Sequence, residues 1–181
     1  MTNIRNIFSR MAATALFLVP AVGATVLTGC SDDVDDEAFY TFTGHTVSSY
    51  IHEDARFSIF ASLLDETGIG GLLSTYGHYT LFAPTDESIR RYLSDNGLRL
   101  GDLTLDEKRE LVYNHIVNSK GIDYTSDQFE EGALPESSMS DNYITVSFAT
   151  DATGSGLVIY LNKNVPIIEK DIEVHNGVVH V

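Results

Sequence analysis

A single cysteine, Cys30, in a chain of 181 residues takes disulfides away from this fold. One thiol cannot form an intrachain bridge, so the folded state must be held by burial of apolar side chains. The position of Cys30 adds a second constraint. Arg5 and Arg10 precede an apolar, small-residue run from Met11 to Leu27, interrupted by Pro20 and Gly23. A positive start, a short apolar run and small residues at its end mark a cleavable export signal rather than a spanning helix. Taking residues 1–29 as that signal leaves 152 residues. That is enough for one domain with a sizeable core and too few for two.

The leader carries two of the eleven basic residues and none of the 26 acidic ones. Residues 30–181 therefore hold 9 basic against 26 acidic side chains, a formal net charge of −17. Such a surface repels phosphate backbones, which argues against nucleic acid as a partner. It also repels anionic membrane surfaces, so any membrane attachment has to come from a lipid. Ser31-Asp32-Asp33-Val34-Asp35-Asp36-Glu37 places five carboxylates in seven residues, a solvated and self-repelling tether.

The ending Leu27-Thr28-Gly29-Cys30 resembles a bacterial lipoprotein cleavage motif. The resemblance implies that the Cys30 sulfur receives a diacylglycerol and that Cys30 becomes the mature N-terminus. At roughly 0.8 kcal/mol per buried CH₂, two or three acyl chains make a near-permanent anchor. Acidic residues directly after the cysteine are similar to the surface-export signals of Bacteroidetes lipoproteins. That similarity implies the bacterial outer membrane, with the protein facing the cell exterior.

Three segments follow: a signal peptide at 1–29, a tether and lead-in at 30–44, and a domain at 45–181. Phe39-Tyr40-Thr41-Phe42-Thr43 is β-prone. Val47, Tyr50 and Ile51 recur at helical spacing behind Thr46, a capping residue. A second helical pattern from Arg56 puts Phe57, Phe60, Leu63 and Leu64 on one face, and Gly68, Gly70 and Gly71 break it into a turn. Tyr79 to Ala83 reads as a buried strand stopped by Pro84, with Thr85 or Asp86 capping the next helix. Thr104 and Glu107 match a capping box, whose helix is predicted to carry Leu105, Leu111, Val112, His115 and Ile116. After Gly121 the period becomes two. Ile144, Val146 and Phe148 alternate with polar residues, Leu157–Leu161 returns across the Asp151–Gly156 turn, and Val165–Ile168 and Gly177–Val181 supply further strands. Helices first and strands late predict an α+β fold rather than an alternating parallel one.

Tyr79-Thr80-Leu81-Phe82-Ala83-Pro84-Thr85-Asp86-Glu87-Ser88-Ile89 resembles the first signature of fasciclin-like domains, and Asn176-Gly177-Val178-Val179-His180-Val181 resembles the second. They lie about 95 residues apart, in the order and at the spacing of that family. Leu111–Val117, with His115, is similar to the family's central histidine segment. The resemblance covers about residues 45–181. It implies helices packed on a C-terminal β-sandwich-like sheet, and adhesion through protein or glycan contacts. The signature residues themselves suit a structural role. Phe82 and Ala83 fill a core, Pro84 ends a strand, Thr85-Asp86 starts a helix, and Asn176-Gly177 makes a tight turn.

Two departures from the family pattern stand out. Family domains continue past the second signature with an Ile-Asp pair and an apolar segment, whereas this sequence stops at Val181. Either a shortened product or a fragment is expected, with the last strand paired over less of its length. The family's adhesive Tyr-His pair is adjacent, whereas Asn114 here separates Tyr113 from His115. Glu169-Lys170-Asp171-Ile172 resembles an acidic adhesive segment of animal relatives, matching at Glu169, Asp171 and Ile172. The competing reading buries Ile172 and ends a strand at Asp171.

No cofactor fingerprint is present. His45, His52, His78, His115, His175 and His180 lack zinc-ligand spacing, although His175 and His180 could approach around a turn. His115 reads as a hydrogen-bonded core histidine, and the carboxylate pairs Asp65-Glu66, Asp86-Glu87 and Glu130-Glu131 as solvated faces. No catalytic or metal-ligating residues are assigned. The sequence thus points to a lipid-anchored, non-enzymatic adhesion or interaction module binding a protein or glycan. The alternative is an accessory glycan-binding lipoprotein beside an outer-membrane nutrient importer, with Tyr40, Tyr76, Tyr124 and Tyr143 stacking on sugars. A hydrolase using His115 or His78 with a carboxylate is the third and weakest reading.

Overall fold

A computed structural model of the chain describes residues 44–150, 154 and 156–181. Cys30, the acidic tether and the Phe39–Thr43 stretch lie outside the described residues, as does part of the Asp151–Gly156 turn. Helix α1 (Val47–Glu53) opens on Thr46. The Thr46 hydroxyl accepts the Ser49 N–H, and the Ser49 hydroxyl oxygen accepts the Thr46 N–H at 2.8 Å, so two free donors satisfy each other's residues. A 3-10 turn at Ala55–Phe57 leads into α2 (Ser58–Thr67), which turns Phe60, Leu63 and Leu64 inward as their spacing predicts. The helix ends at Gly68, whose φ of +76° suits glycine. The glycines beyond it do not form an open turn. Ile69–Leu72 make a one-turn helix, α3, with Gly70 buried beside Ser48 and Leu64.

Strand β1 (Tyr79–Phe82) is buried along its length, and α4 (Asp86–Asp95) starts under Thr85, whose hydroxyl accepts the Ser88 N–H. Helix α5 (Leu105–Tyr113) opens on the expected capping box of Thr104 and Glu107. It ends sooner than its apolar spacing predicts. His115 lies beyond the helix, Ile116–Asn118 form strand β2, and Leu105 is 50% exposed. β-Branched Ile116 and Val117 suit a pleated surface better than a helix, and they pair there with Leu81 and Thr80.

The remaining strands are β3 (Gly132–Ala133), β4 (Thr145–Thr150), β5 (Leu157–Leu161), β6 (Val165–Pro166), β7 (Ile172–Val174) and β8 (Gly177–His180). Strands β2 and β3 carry no periodic signal in the sequence. The expected Val165–Ile168 strand shortens to two residues, and β7 begins just after Asp171 rather than ending there. One sheet runs β2-β1-β8-β7, with β1 and β8 parallel and the other pairs antiparallel. The other runs β3-β4-β5-β6, all antiparallel.

Strand alternation distributes the core between two layers. Tyr79, Leu81, Ile116 and Val179 face the helices and join Phe57, Phe60, Leu63 and Leu64. Phe82 and Val117 face the second sheet and join Val146, Ile159 and Leu161. The first sheet is therefore the middle layer, with helices on one face and the second sheet on the other. β8 is flanked by β1 and β7, and Val181 N–H donates to Glu169 O while Ile168 N–H donates to Val181 O, both at 2.8 Å.

Candidate functional site

The second signature locks the middle sheet to the helices. Asn176, 1% exposed, sits in the two-residue turn between β7 and β8. Its side-chain oxygen accepts the Val47 N–H at 2.8 Å, and its amide donates to Leu73 O at 2.8 Å and Thr75 O at 2.7 Å. Its backbone carbonyl accepts the Tyr79 N–H. The turn residues are His175 and Asn176, so Gly177 is the first residue of β8 and not the turn glycine expected. It is glycine because of a close approach. A Cβ at 177 would lie 1.9 Å from the Tyr79 carbonyl oxygen, across the parallel β1–β8 pairing.

His180 closes the other end of the same strand at 1% exposure. Its ring stacks on Phe82 with centroids 5.5 Å apart and tilts against Phe129 at 5.2 Å. Nδ1 accepts the Asp171 N–H at 3.3 Å, and Nε2 lies 2.8 Å from Tyr124 O. A carbonyl needs a donor, so the proton resides on Nε2 and the ring is neutral. Burial pushes its pKa below the ordinary histidine value, outweighing the Tyr124 carbonyl and the Asp171 charge that favour the proton.

The first signature behaves as expected except at Asp86. Phe82 and Ala83 are buried and Thr85 caps α4. Asp86 is not part of a solvated face: at 8% exposure its carboxylate accepts the Ile59 N–H at 2.8 Å and the Ser58 hydroxyl at 2.5 Å. It therefore caps the start of α2, a helix 28 residues earlier, and also meets Arg90. His115 is half-buried, its Nδ1 2.7 Å from Leu111 O and its ring edge-on to Phe60. Burial lowers its pKa.

The adhesive-like segment is brought to the surface but engaged internally. Glu169 pairs with Arg56, whose guanidinium also holds Asp54. The Asp171 carboxylate accepts the Ser126 N–H at 2.6 Å and the Ser126 hydroxyl. Burial alone would raise that carboxyl, but the two Ser126 bonds, aided by the Lys170 charge, hold it below its usual value. Asp171 takes up a φ of +60°, and Ile172 packs part-buried on the helical core. Arg56 and Ser126 lie 113 and 45 residues away from their partners, with no local signal linking them.

The other proposed groups scatter. His175, exposed in the turn, and His180, buried at the far end of β8, do not come together. His78 Nδ1 lies 3.2 Å from Asp123 Oδ1, but the nearby Ser119 hydroxyl donates to the His78 and Ile122 carbonyls instead of to the ring. Tyr76 and Tyr143 are exposed at 67% and 63%, whereas Tyr124 is buried and Tyr40 lies outside the described residues. Among the described residues, no group of three or more His, Cys, Asp or Glu side chains could hold a metal ion. Nor is any described helix long and apolar enough to cross a membrane.

Helices on one face of a mixed sheet, an antiparallel sheet on the other and an asparagine-glycine lock between them define a two-sheet α+β domain. The Fasciclin domain model matches residues 55–181, and the chain belongs to that family. It is 24% identical over 135 residues to human Stabilin-1, covering 75% of this chain and 5% of that protein. It is similar in fold to a FAS1 domain pair from the insect cell adhesion molecule Fasciclin I, with a TM-score of 0.60 and 18% identity. That match covers 75% of this chain and 48% of the other, so the chain spans about half the length of the solved pair. Fasciclin domains are generally adhesion or interaction modules, and are typically extracellular or at the cell surface.

Proposed function

We propose that this protein is a lipid-anchored adhesion module, displayed on the outer face of a bacterial outer membrane and binding a protein or glycan partner without turnover. The observation that carries the reading is the Leu27-Thr28-Gly29-Cys30 ending, followed by an acidic tether and then a Fasciclin domain. The lipid supplies the attachment that a strongly acidic domain cannot obtain from an anionic headgroup surface. The same charge argues against nucleic acid as the partner.

The signature residues support this reading by what they are used for. Asn176, Gly177, His180 and Asp86 spend their polar groups and their shape on internal contacts, leaving recognition to the exposed surface. Within the Glu169–Ile172 segment, the Glu169 carboxylate and the Lys170 side chain reach solvent, and Asp171 and Ile172 hold the backbone that presents them. A clean deletion strain tests the reading. Loss of attachment to surfaces or partner cells, restored by the full gene, supports it; attachment at wild-type level sinks it. A glycan array separates the partner classes, since specific saccharide binding favours the accessory role beside a nutrient importer.

A further inference from the structure

The two ring nitrogens of His180 face partners that demand opposite roles. Nε2 donates to the Tyr124 carbonyl at 2.8 Å, and Nδ1 accepts the Asp171 N–H at 3.3 Å. A neutral ring satisfies both. A protonated ring cannot, because Nδ1 then carries a hydrogen aimed at the Asp171 hydrogen. Turning the ring over gives no relief, since both nitrogens of the charged form are donors. Nor can the ring reach water: it is 1% exposed, stacked on Phe82 and packed against Phe129.

One charged acceptor stands beside it. Asp171 and Lys170 are the charged groups that act on His180, the first favouring a proton there and the second opposing it. Phe82, Phe129 and Tyr124 bring it rings and a carbonyl. Rotation about Cα–Cβ of Asp171 carries a carboxylate oxygen alongside its own N–H, which already points at Nδ1. With His180 neutral, that carboxylate is committed elsewhere. It accepts the N–H and the hydroxyl of Ser126, which opens a 3-10 turn at Ser126–Gln128. Thr125, in the cap position of that turn, makes no side-chain cap bond, so Asp171 serves as the cap from 45 residues away. The residues flanking Asp171 are held independently. Glu169 exchanges backbone bonds with Val181 and pairs with Arg56, and Ile172 pairs with Val179.

We infer that His180 and Asp171 form an acid switch: a proton taken up at Nδ1 draws the Asp171 carboxylate off Ser126 and onto the His180 ring, uncapping the Ser126–Gln128 turn. The proton comes from solvent, and the exchange trades the Ser126 bonds for one charge-assisted pair. Asp171 keeps its charge in mild acid, because its carboxyl is held below its usual value. On the adhesive reading proposed above, the switch remodels the surface beside Glu169 while the strands stay paired. The switch itself needs no partner, so its test is independent of that reading.

Amide and histidine-ring NMR of the full chain, titrated from about pH 7.5 to about pH 4.5, tests this. The Ser126 amide is expected to shift with the same midpoint as the His180 ring. Its hydrogen exchange, corrected for the intrinsic effect of pH, should rise at least about tenfold, while the Val181 amide keeps its protection. In His180→Gln, whose amide can make both bonds but cannot titrate, the Ser126 step should vanish. A Ser126 amide that stays put while His180 titrates overturns the inference. So does a Ser126 step that persists in His180→Gln, or a His180 ring that charges only on global unfolding. Should His180→Gln fail to fold, Asp171→Asn decides: a lowered His180 midpoint supports the switch, and an unchanged one overturns it.

Discussion

Replacing Asn176 by alanine removes three hydrogen bonds at a position 1% exposed, without changing any apolar packing of consequence. The Val47 N–H then has no partner at the start of α1, and the Thr75 carbonyl loses its acceptor role. The Leu73 carbonyl suffers less, because it also accepts the Ser48 N–H at 3.3 Å. At about 1–3 kcal/mol per stranded buried group, discounted for Leu73, the loss comes to about 3–5 kcal/mol. A domain of this size has roughly 5–15 kcal/mol in total, so a fifth of the stability or more is at stake. The chain has no tryptophan, so urea unfolding is followed by circular dichroism. With a slope of about 1–3 kcal/mol per molar, the midpoint falls by at least about 1 M. Asn176→Asp adds a diagnostic. The carboxylate can still accept from Val47 but opposes the two carbonyls, so it should be no more stable than the alanine variant. A loss below about 1 kcal/mol for Asn176→Ala, or an aspartate variant as stable as wild type, refutes the locking role.

Gly177→Ala should abolish native folding, since the new Cβ meets Tyr79 O at 1.9 Å; a soluble variant with a wild-type melting curve contradicts that. Thr104→Ala removes the α5 capping box and should cost about 1 kcal/mol, read as a urea midpoint shift with unchanged slope. Acid should destabilise the domain in two stages. Burial holds His115 and His180 below the ordinary value of about 6.5, so the unfolded chain takes up protons first as pH falls from there. Stability is then lost by up to about 1.4 kcal/mol per histidine per pH unit until the folded values are passed. His52 acts oppositely. Its pKa is raised by the Ser48 carbonyl and then Asp65, and its contribution is lost as pH rises through its folded value. Carboxylates held low, such as Glu107 by the Thr104 amide, add the second stage below about 4.3. Melting temperatures that stay flat from pH 7 to pH 5 contradict the histidine stage.

What the sequence made legible was local. Thr46, Thr85 and Thr104 announce helix starts because a cap needs only residues three apart. Alternation at Val146 and Phe148 announces β4 because one face of the strand is buried. The errors arise where a tertiary partner decides. Ile116 continues the apolar spacing of α5, yet β1 lies beside it and draws it into the sheet. Asp86 looks like a surface acid beside Glu87, but the open N-terminus of α2 lies within its reach. Asn176 reads as a turn residue, and its bond to Val47 spans 129 positions with no local trace. The candidate adhesive segment was visible as a pattern, but its anchoring by Arg56 and Ser126 was not.

Metabolic labelling with palmitate of cells producing the full chain tests the central claim most directly, because the proposed role depends on a domain held at the membrane through Cys30. The account predicts label on the wild-type polypeptide and none on Cys30→Ser. An unlabelled wild-type protein, or label that persists in Cys30→Ser, contradicts it.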